Sequence, residues 1–252
     1  MAYSLKYDLH THTIYSRGIK GNHGKGTVLE NARVAHSLGL EALGISDHGP
    51  GHIFYGMDMD YIGDMRRDVN YANELFPGLK VYLSVEANII NPSGKLDVPP
   101  EDFHYFDYVI AGYHYGVLGE EPVSAIKVCL GGYKSSFGGT TSEGARNYNT
   151  DLVVKALYNN HIKILTHPGD KADFDIDEIS KACEETHTLM EINNHHNGLT
   201  VEGIRIAAKY NVDFIISSDA HLPGNVGTFD VALKRAQEAG LPLERIVNLW
   251  NS

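Results

Sequence analysis

The sequence predicts an α/β fold in which parallel strands form a barrel and helices surround them. Short apolar and β-branched runs recur along the whole chain, and amphipathic stretches lie between them. Strands and helices that alternate in this way are typical of βα units around a parallel sheet. A length of 252 residues suits one barrel. No linker or change in composition divides the chain, so we expect a single domain over 1–252.

Seven runs predict buried parallel strands, because each is apolar and too short for a helix. They are 7–9, 42–45, 81–85, 108–111, 162–165, 189–192 and 214–216.

Helical spacing between these runs predicts the surrounding helices. The apolar face over 28–38 ends before Gly39, a residue type that ends helices. Another helix is expected to begin after Thr150 as its N-cap, and two more to end near Asn211 and at Gly240. The Gly-rich segment 131–144 interrupts the alternation and is either a solvated loop or a mobile lid over a site.

The composition limits the classes of function. Lys plus Arg is 21 and Asp plus Glu is 32, and the resulting net charge of −11 disfavours binding of nucleic acid. No apolar run approaches the roughly 18 residues of a membrane span, and the first residues lack a signal-peptide layout, so we expect a cytoplasmic protein without membrane partners. Cys129 and Cys183 form no CxxC pattern and are predicted to be core thiols.

Many of the 14 histidines directly follow predicted strands. The C-terminal ends of barrel strands meet at one face, so these side chains would converge on one pocket. A single histidine at a strand end is more often a core or surface residue than a ligand. A dense cluster of imidazoles and carboxylates would however be costly to bury without a metal. The predicted cluster comprises His10, His12, His48, Glu86, His114, His167, Asp219 and His221. Three further histidines are predicted near the same face, and the sequence does not decide whether they are ligands: His52, His195 and His196.

The residues at these strand ends resemble the motifs of a known family. The strings are DLHTH (8–12), ISDHGP (45–50), VEAN (85–88), IAGYH (110–114), THPG (166–169), EINN (191–194) and SSDAH (217–221). Together they resemble the PHP superfamily, of polymerases and histidinol phosphatases, and its YcdX-like branch of stand-alone phosphatases most of all. The resemblance implies a distorted seven-stranded (β/α)7, TIM-like barrel with up to three divalent metal ions, most often zinc, with manganese or iron in some members.

The resemblance also implies how the ligands are shared. The first ion would be bound by His10, His12, Glu86 and Asp219. Glu86 would bridge to a second ion, which His114 and His167 complete. The third would be bound by His48, His221 and a histidine after the first strand. Similar proteins have that histidine in a stretch like SxH, whereas Ser16 is followed here by Arg17 and Gly18. We assign the position to His23, which a short insertion would bring into register.

Such a centre predicts hydrolysis of a phosphate monoester. Neighbouring ions share and acidify a water, so that a bridging hydroxide can attack near neutral pH, and they bind phosphate oxygens. Histidinol phosphate is one candidate substrate, and a less selective action on small phosphorylated metabolites is favoured by the resemblance.

Several further residues near the pocket are candidates for roles in this chemistry. Arg17 is the preferred phosphate contact, with Lys20 and Lys25 on the same loop. Either His196 or a metal-bound water could protonate the leaving alcohol. Asp8 and Asp47 either orient an imidazole or cap a loop.

Three other functions are weighed against the phosphatase. A nuclease, as in polymerase-attached members, is disfavoured by the negative charge and by the lack of a polymerase segment. A non-catalytic metal-binding domain is disfavoured because the ligand set is complete. An amidohydrolase-type enzyme is disfavoured because such enzymes usually bridge their metal ions with a lysine, whereas Glu86 occupies the bridging position in this chain.

Overall fold

The computed structural model describes residues 3–19, 21–118 and 143–251. The strands are β1 (Tyr3–Leu5), β2 (Tyr7–Thr11), β3 (Arg17–Gly18), β4 (Gly21–Asn22), β5 (Ala42–His48), β6 (Lys80–Asn88), β7 (Tyr108–Gly112), β8 (Ile164–Leu165), β9 (Leu189–Asn193), β10 (Phe214–Ser217) and β11 (Leu249–Asn251). The helices are α1 (Val28–Ser37), α2 (Ile62–Leu75), α3 (Glu143–Asn159), α4 (Ile176–Thr186), α5 (Val201–Ala207) and α6 (Asp230–Ala239).

Seven parallel strands form the central sheet in the order β2-β5-β6-β7-β8-β9-β10. The two edge strands meet beyond the end of β10, where the His12 N–H donates to the Ala220 carbonyl at 2.8 Å. The sheet is therefore a nearly closed barrel, which confirms the predicted fold class and all seven predicted strands. The strands of the barrel differ in length, and β8 contributes only two residues.

A β-bulge in β2 turns its histidines into the barrel. Asp8 pairs with Leu43 and Thr11 with Ile45, so two residues of β2 lie opposite Gly44 alone. Leu9 packs inside the barrel with an inner cluster of Ile110, Ile164 and Ile215. Strict alternation would then send His10 outwards, but the extra residue shifts the alternation and brings His10 and His12 inside.

Gly44 is required opposite this bulge. A Cβ on Gly44 would lie 2.5 Å from the Leu9 carbonyl oxygen, far inside van der Waals contact.

The outer face of the barrel packs against the helices. Leu43, Ile45 and Leu83 are fully buried there with Val28 of α1 and Met65 of α2. This apolar layer and the inner cluster leave the C-terminal end of the barrel to polar side chains.

Asp8 joins β2 to the chain that follows β10. Its buried carboxylate accepts hydrogen bonds from the Ser218 hydroxyl, from the Ser218 N–H at 3.2 Å and from the Gly227 N–H at 2.9 Å. Of the two roles considered for Asp8, the structure shows the loop cap.

The predicted helix ends agree in part with the structure. Gly39 and Gly240 follow α1 and α6 with φ of +74° and +73°, as expected of helix-ending glycines. The predicted apolar helix face over 28–38 is wrong at its last residue, because Leu38 lies beyond the end of α1 and is 57% exposed. Thr150 is wrong as an N-cap because it lies inside α3. Its hydroxyl donates to the Arg146 carbonyl one turn earlier, a bond that threonine makes within helices.

Some predictions fall outside the described residues, among them those for Lys20, Cys129 and most of the Gly-rich segment. The two interpretations of segment 131–144, a solvated loop or a lid over the site, therefore stay predictions. Cys183 is buried, as predicted. None of the described helices is long and apolar enough to span a membrane.

The Asp8 junction makes a testable contribution to stability. We expect Asp8→Asn to lower the free energy of unfolding by about 2 kcal/mol, because an NH2 group would then face N–H and O–H donors. Urea denaturation of the metal-free protein measures the change. The matched control is Asp213→Asn at an exposed position, which should change the free energy by less than about 0.5 kcal/mol. Equal effects of the two substitutions would contradict the role of Asp8.

Candidate metal centre

The structure brings together all eight residues predicted at the strand ends. β2 supplies His10 and is directly followed by His12, β5 supplies His48 and β6 supplies Glu86. The other four are on the segments that follow β7, β8 and β10, namely His114, His167, Asp219 and His221.

Glu86 lies at the centre of this cluster and is fully buried. Its Oε2 is 3.4 Å from His10 Nε2, 3.6 Å from His12 Nε2 and 2.9 Å from His48 Nδ1. Its Oε1 is 3.3 Å from His114 Nε2 and 2.8 Å from His167 Nε2. Asp219 Oδ1 lies 3.1 Å from His12 Nε2 and 3.6 Å from His10 Nε2. Carboxylates thus lie beside the imidazoles of all five of these histidines.

The spacing of these atoms fits metal coordination. Two ligands about 2.0–2.1 Å from a tetrahedral zinc lie about 3.3 Å from each other. Three groups could each hold an ion: His10, His12 and Glu86; His48, Glu86 and His114; and His12, His48 and His221. Within the described residues, His221 Nε2 is buried without a hydrogen-bond partner, and Glu86 Oε2 and His48 Nδ1 lie 2.9 Å apart without forming a hydrogen bond. Buried polar atoms are normally satisfied, so a cation would account for these.

Acceptors on the far side of three rings select the tautomer that a metal needs. His10 Nδ1 lies 2.8 Å from Glu191 Oε1, and His221 Nδ1 lies 2.8 Å from the Asp219 carbonyl oxygen. His12 Nδ1 lies 3.3 Å from Ser16 Oγ. A proton on each Nδ1 satisfies these contacts and leaves the Nε2 lone pair free for a ligand bond.

Asp47 acts on His12 through Ser16. Its Oδ1 accepts from the Ser16 hydroxyl at 2.6 Å and from the Ser16 N–H at 3.0 Å, and its other oxygen accepts from the Thr13 hydroxyl. The Ser16 hydroxyl is committed as a donor to Asp47, so its oxygen is free to accept from His12. Asp47 therefore caps the loop after β2, the second of the two roles considered for it.

Glu191 is a buried member of this cluster for which the sequence predicted no role. Besides its contact with His10, its Oε2 accepts from the His167 N–H at 2.7 Å and from the Asn193 side chain at 2.9 Å. One buried carboxylate thus orients residues from two strands. The sequence feature that could have identified Glu191 is its position as a charged residue in the middle of an otherwise apolar strand run.

His23 reaches the cluster on the β3–β4 hairpin. Its ring stacks on Tyr55 at a centroid distance of 3.8 Å and lies 4.2 Å from the ring of His221. Its backbone N–H donates to the Ser16 carbonyl at 2.7 Å. The hairpin accommodates the inserted residues and brings the ring of His23 beside that of His221.

Two predicted ligands have strained backbones. φ is +27° at His167 and +52° at Asp219, in the left-handed region that side chains other than glycine disfavour. Such strain is typical of functional sites, where the surrounding structure holds a side chain in place.

A cavity of about 380 Å³ opens over the cluster. Its lining includes His23, His48, His52, Tyr55, His114, Tyr115, His167, Lys171, His195, His196, Asp219 and His221. His196 Nδ1 lies 3.1 Å from Asp170 Oδ1, and its Nε2 lies 3.5 Å from Asp219 Oδ2.

The structure does not bring Arg17 to this cavity. Arg17 is exposed, and its guanidinium lies 4.5 Å above the ring of Tyr61. The Lys25 ammonium donates to the Asn22 carbonyl instead of reaching the cavity lining. Lys171, paired with Asp170, is the lysine among the described residues that line the cavity. Sequence reasoning missed Lys171 because it follows the strand-end motif rather than lying in it.

Comparison with known proteins identifies the family. No family model matches the chain. A probable phosphatase from Acetivibrio thermocellus is 30% identical over 251 residues, which are 96% of this chain and 90% of the relative. One from Clostridium acetobutylicum is 30% identical over 260 residues, covering 97% and 91%. The chain belongs to this family of PHP-like phosphatases. The family confirms the predicted enzyme class, a hydrolase acting as a phosphatase.

A solved structure supports the fold of the phosphatase. Histidinol phosphate phosphatase from Lactococcus lactis, in a complex with zinc, L-histidinol and phosphate, superposes with a TM-score of 0.59. The two chains share 14% identity, and the match covers 94% of each.

The electrostatics of the phosphatase site favour cations. Burial opposes the charge of Glu86 and Asp219, but the surrounding imidazoles outweigh it and hold both pKa values well below the ordinary range. Burial likewise opposes a charge on His10, but Glu86, Glu191 and Asp219 together raise its pKa well above 6.5. A proton on His10 is thus the cation that balances these carboxylates, and a bound metal ion would displace it.

The imidazoles of His23, His114 and His221 are held in the neutral form that ligands need. Burial is the largest cause, and it lowers the pKa of His114 and of His221 to about 4 and that of His23 to about 3.

The contact between Glu191 and His10 can be tested by metal affinity. We expect Glu191→Gln to weaken zinc binding about 10-fold, because a neutral partner makes His10 a poorer donor to the metal. Competition with a chromophoric chelator measures the affinity, and circular dichroism checks the fold. Glu178→Gln, at the exposed start of α4, is the control. An unchanged affinity in Glu191→Gln would rule out this orienting role.

Proposed function

We propose that this protein is a metal-dependent phosphatase that hydrolyses small phosphate monoesters at a centre of three divalent ions, most often zinc, with manganese or iron as alternatives. The observation that carries the proposal is the fully buried Glu86 carboxylate, which lies within 3.6 Å of five imidazoles. A buried carboxylate in such surroundings is a ligand that several ions can share.

The proposed ligand sets follow the three parts of the cluster. The first comprises His10, His12, Glu86 and Asp219. The second comprises Glu86, His114 and His167. The third comprises His48, His221 and His23, with His12 close to it. When bound, such ions lower the pKa of water and balance the charge of a phosphate.

The substrate is proposed to be a small phosphorylated metabolite. A cavity of about 380 Å³ accommodates a phosphate and a compact leaving group. The net charge of −11 disfavours long polyanions outside the metal centre. Histidinol phosphate is one candidate, and a broader monoester specificity of the YcdX-like kind is the favoured one. The single domain over 1–252 and the cytoplasmic location remain predictions.

The function is tested by a panel of phosphate monoesters assayed with zinc or manganese. We expect hydrolysis of several monoesters, loss of activity after chelation and recovery when the metal is restored. Glu86→Gln should bind fewer ions and lose at least about 10³-fold in kcat/KM, because the ligand shared by the ions is neutralised.

Phosphodiesters and single-stranded DNA are the contrasting substrates. Faster cleavage of DNA than of every monoester would favour a nuclease. Fewer than two ions per chain and no turnover of any substrate would favour a non-catalytic metal-binding domain.

We propose His196 as the group that protonates the leaving oxygen. Its ring lines the cavity, and Asp170 holds Nδ1 so that Nε2 faces the metal centre. A general acid matters most when the leaving group is a poor one.

His196→Ala should therefore lower kcat about 10²-fold for alkyl phosphates and much less for p-nitrophenyl phosphate. His104→Ala, a histidine at an exposed position away from the cavity lining, is the control. An equal loss on both kinds of substrate would exclude proton donation by His196.

A further inference from the structure

His52 is a cavity residue to which neither the ligand sets nor the general acid assign a role. It lies in the loop after β5, four residues beyond His48, and is only 6% exposed. Its ring centroid is 5.2 Å from that of His48 and 5.9 Å from that of His114. The ring thus stands beside two proposed ligands and forms part of the cavity wall.

Hydrogen bonds decide which ring nitrogen of His52 carries the proton. Nδ1 accepts from the backbone N–H of Phe54 at 3.3 Å and from that of Tyr55 at 3.2 Å. A nitrogen that accepts must keep its lone pair, so the single proton of the neutral ring is on Nε2. Nε2 is therefore a donor and has no lone pair to offer a metal.

This arrangement is the reverse of that in three of the proposed ligands. His10, His12 and His221 each direct Nδ1 towards an oxygen acceptor, which leaves Nε2 as the electron-pair donor. Backbone donors take the place of that acceptor at His52. The ring is suited to donate a hydrogen bond into the cavity and unsuited to bind a cation.

The loop holds this ring in place before any ligand binds. The His52 N–H donates to the Gly49 carbonyl at 3.2 Å, and its own carbonyl accepts from Gly56 at 2.7 Å. A bridge to Val117 connects the loop to the segment after β7. Because Nδ1 accepts two backbone hydrogen bonds, it carries no proton, and the ring is neutral.

We propose that His52 binds the phosphate group of the substrate, donating a hydrogen bond from its neutral Nε2–H to a phosphate oxygen. The proposal rests on the proposed phosphatase function. The atom has no hydrogen-bond partner among the described residues, and its ring lies beside ligands from two of the proposed metal positions. A neutral hydrogen-bond donor at that place can bind the phosphate anion without forming an ion pair with the carboxylates that bind the metal ions.

The test compares three variants of the metal-loaded enzyme. His52→Ala removes the donor, and in His52→Asn the shorter amide ends near the position of Nδ1. His52→Gln carries an amide N–H close to the position of Nε2. The probe is inorganic phosphate, measured both as a competitive inhibitor and by calorimetry. Metal content per chain is determined for each variant, and His104→Ala, at an exposed site, is the control.

We expect His52→Ala and His52→Asn to weaken phosphate binding about 10-fold or more, because a hydrogen bond to a charged group is lost. His52→Gln should stay within about 3-fold of the wild type. Metal content should be unchanged in all three variants. This pattern also separates phosphate binding from a purely structural role, which would affect His52→Gln as well.

Two results would overturn the proposal. Loss of an ion in His52→Ala would make His52 a ligand, and unchanged phosphate affinity in His52→Ala and His52→Asn would remove it from the phosphate site. Failure of the proposed function is distinguishable from both, since the wild-type enzyme would then hydrolyse no monoester. Calorimetry with phosphate would still decide the role of His52 in that case.

Discussion

The structure depends on one buried carboxylate surrounded by imidazoles. Glu86 lies at the end of the barrel interior with no exposed surface, and Glu191 and Asp219 are close to the same histidines. Negative charge in a protein interior is costly unless cations balance it. Protons on the histidines provide part of that balance, and divalent ions provide it more fully. The barrel, the bulge and the loops after the strands all serve to bring these groups within a few ångströms of one another.

The bulge in β2 shows how a small irregularity makes this possible. A regular strand gives each face every second residue, so a strand with an apolar inner face cannot also direct the next residue inwards. Leu9 fills the lower barrel, and His10 directly follows it. The additional residue opposite Gly44 allows both to face the interior. The apolar inner cluster and the polar centre are thus adjacent along one short strand.

Much of this could be predicted from the sequence. Parallel strands end at one face, so residues as distant in sequence as His10 and Asp219 could be placed together, and the seven strands were short apolar runs. The positions of Lys171 and Arg17 could not be predicted, because they depend on how loops fold and on which ring a long side chain covers. Helix α2 was not predicted either, since its sequence is mostly polar and few of its residues are buried.

The histidines show where sequence reasoning ends. His12 and His52 are the same residue type on the same face, yet the group opposite Nδ1 differs: a hydroxyl oxygen for His12 and two backbone N–H groups for His52. An oxygen acceptor makes Nε2 an electron-pair donor, and an N–H donor makes it a hydrogen-bond donor. The chemistry of each imidazole is therefore set by a backbone or side-chain atom that no motif identifies. An acidic protein can in this way form a pocket for an anion, with cations at its base and a neutral donor in its wall.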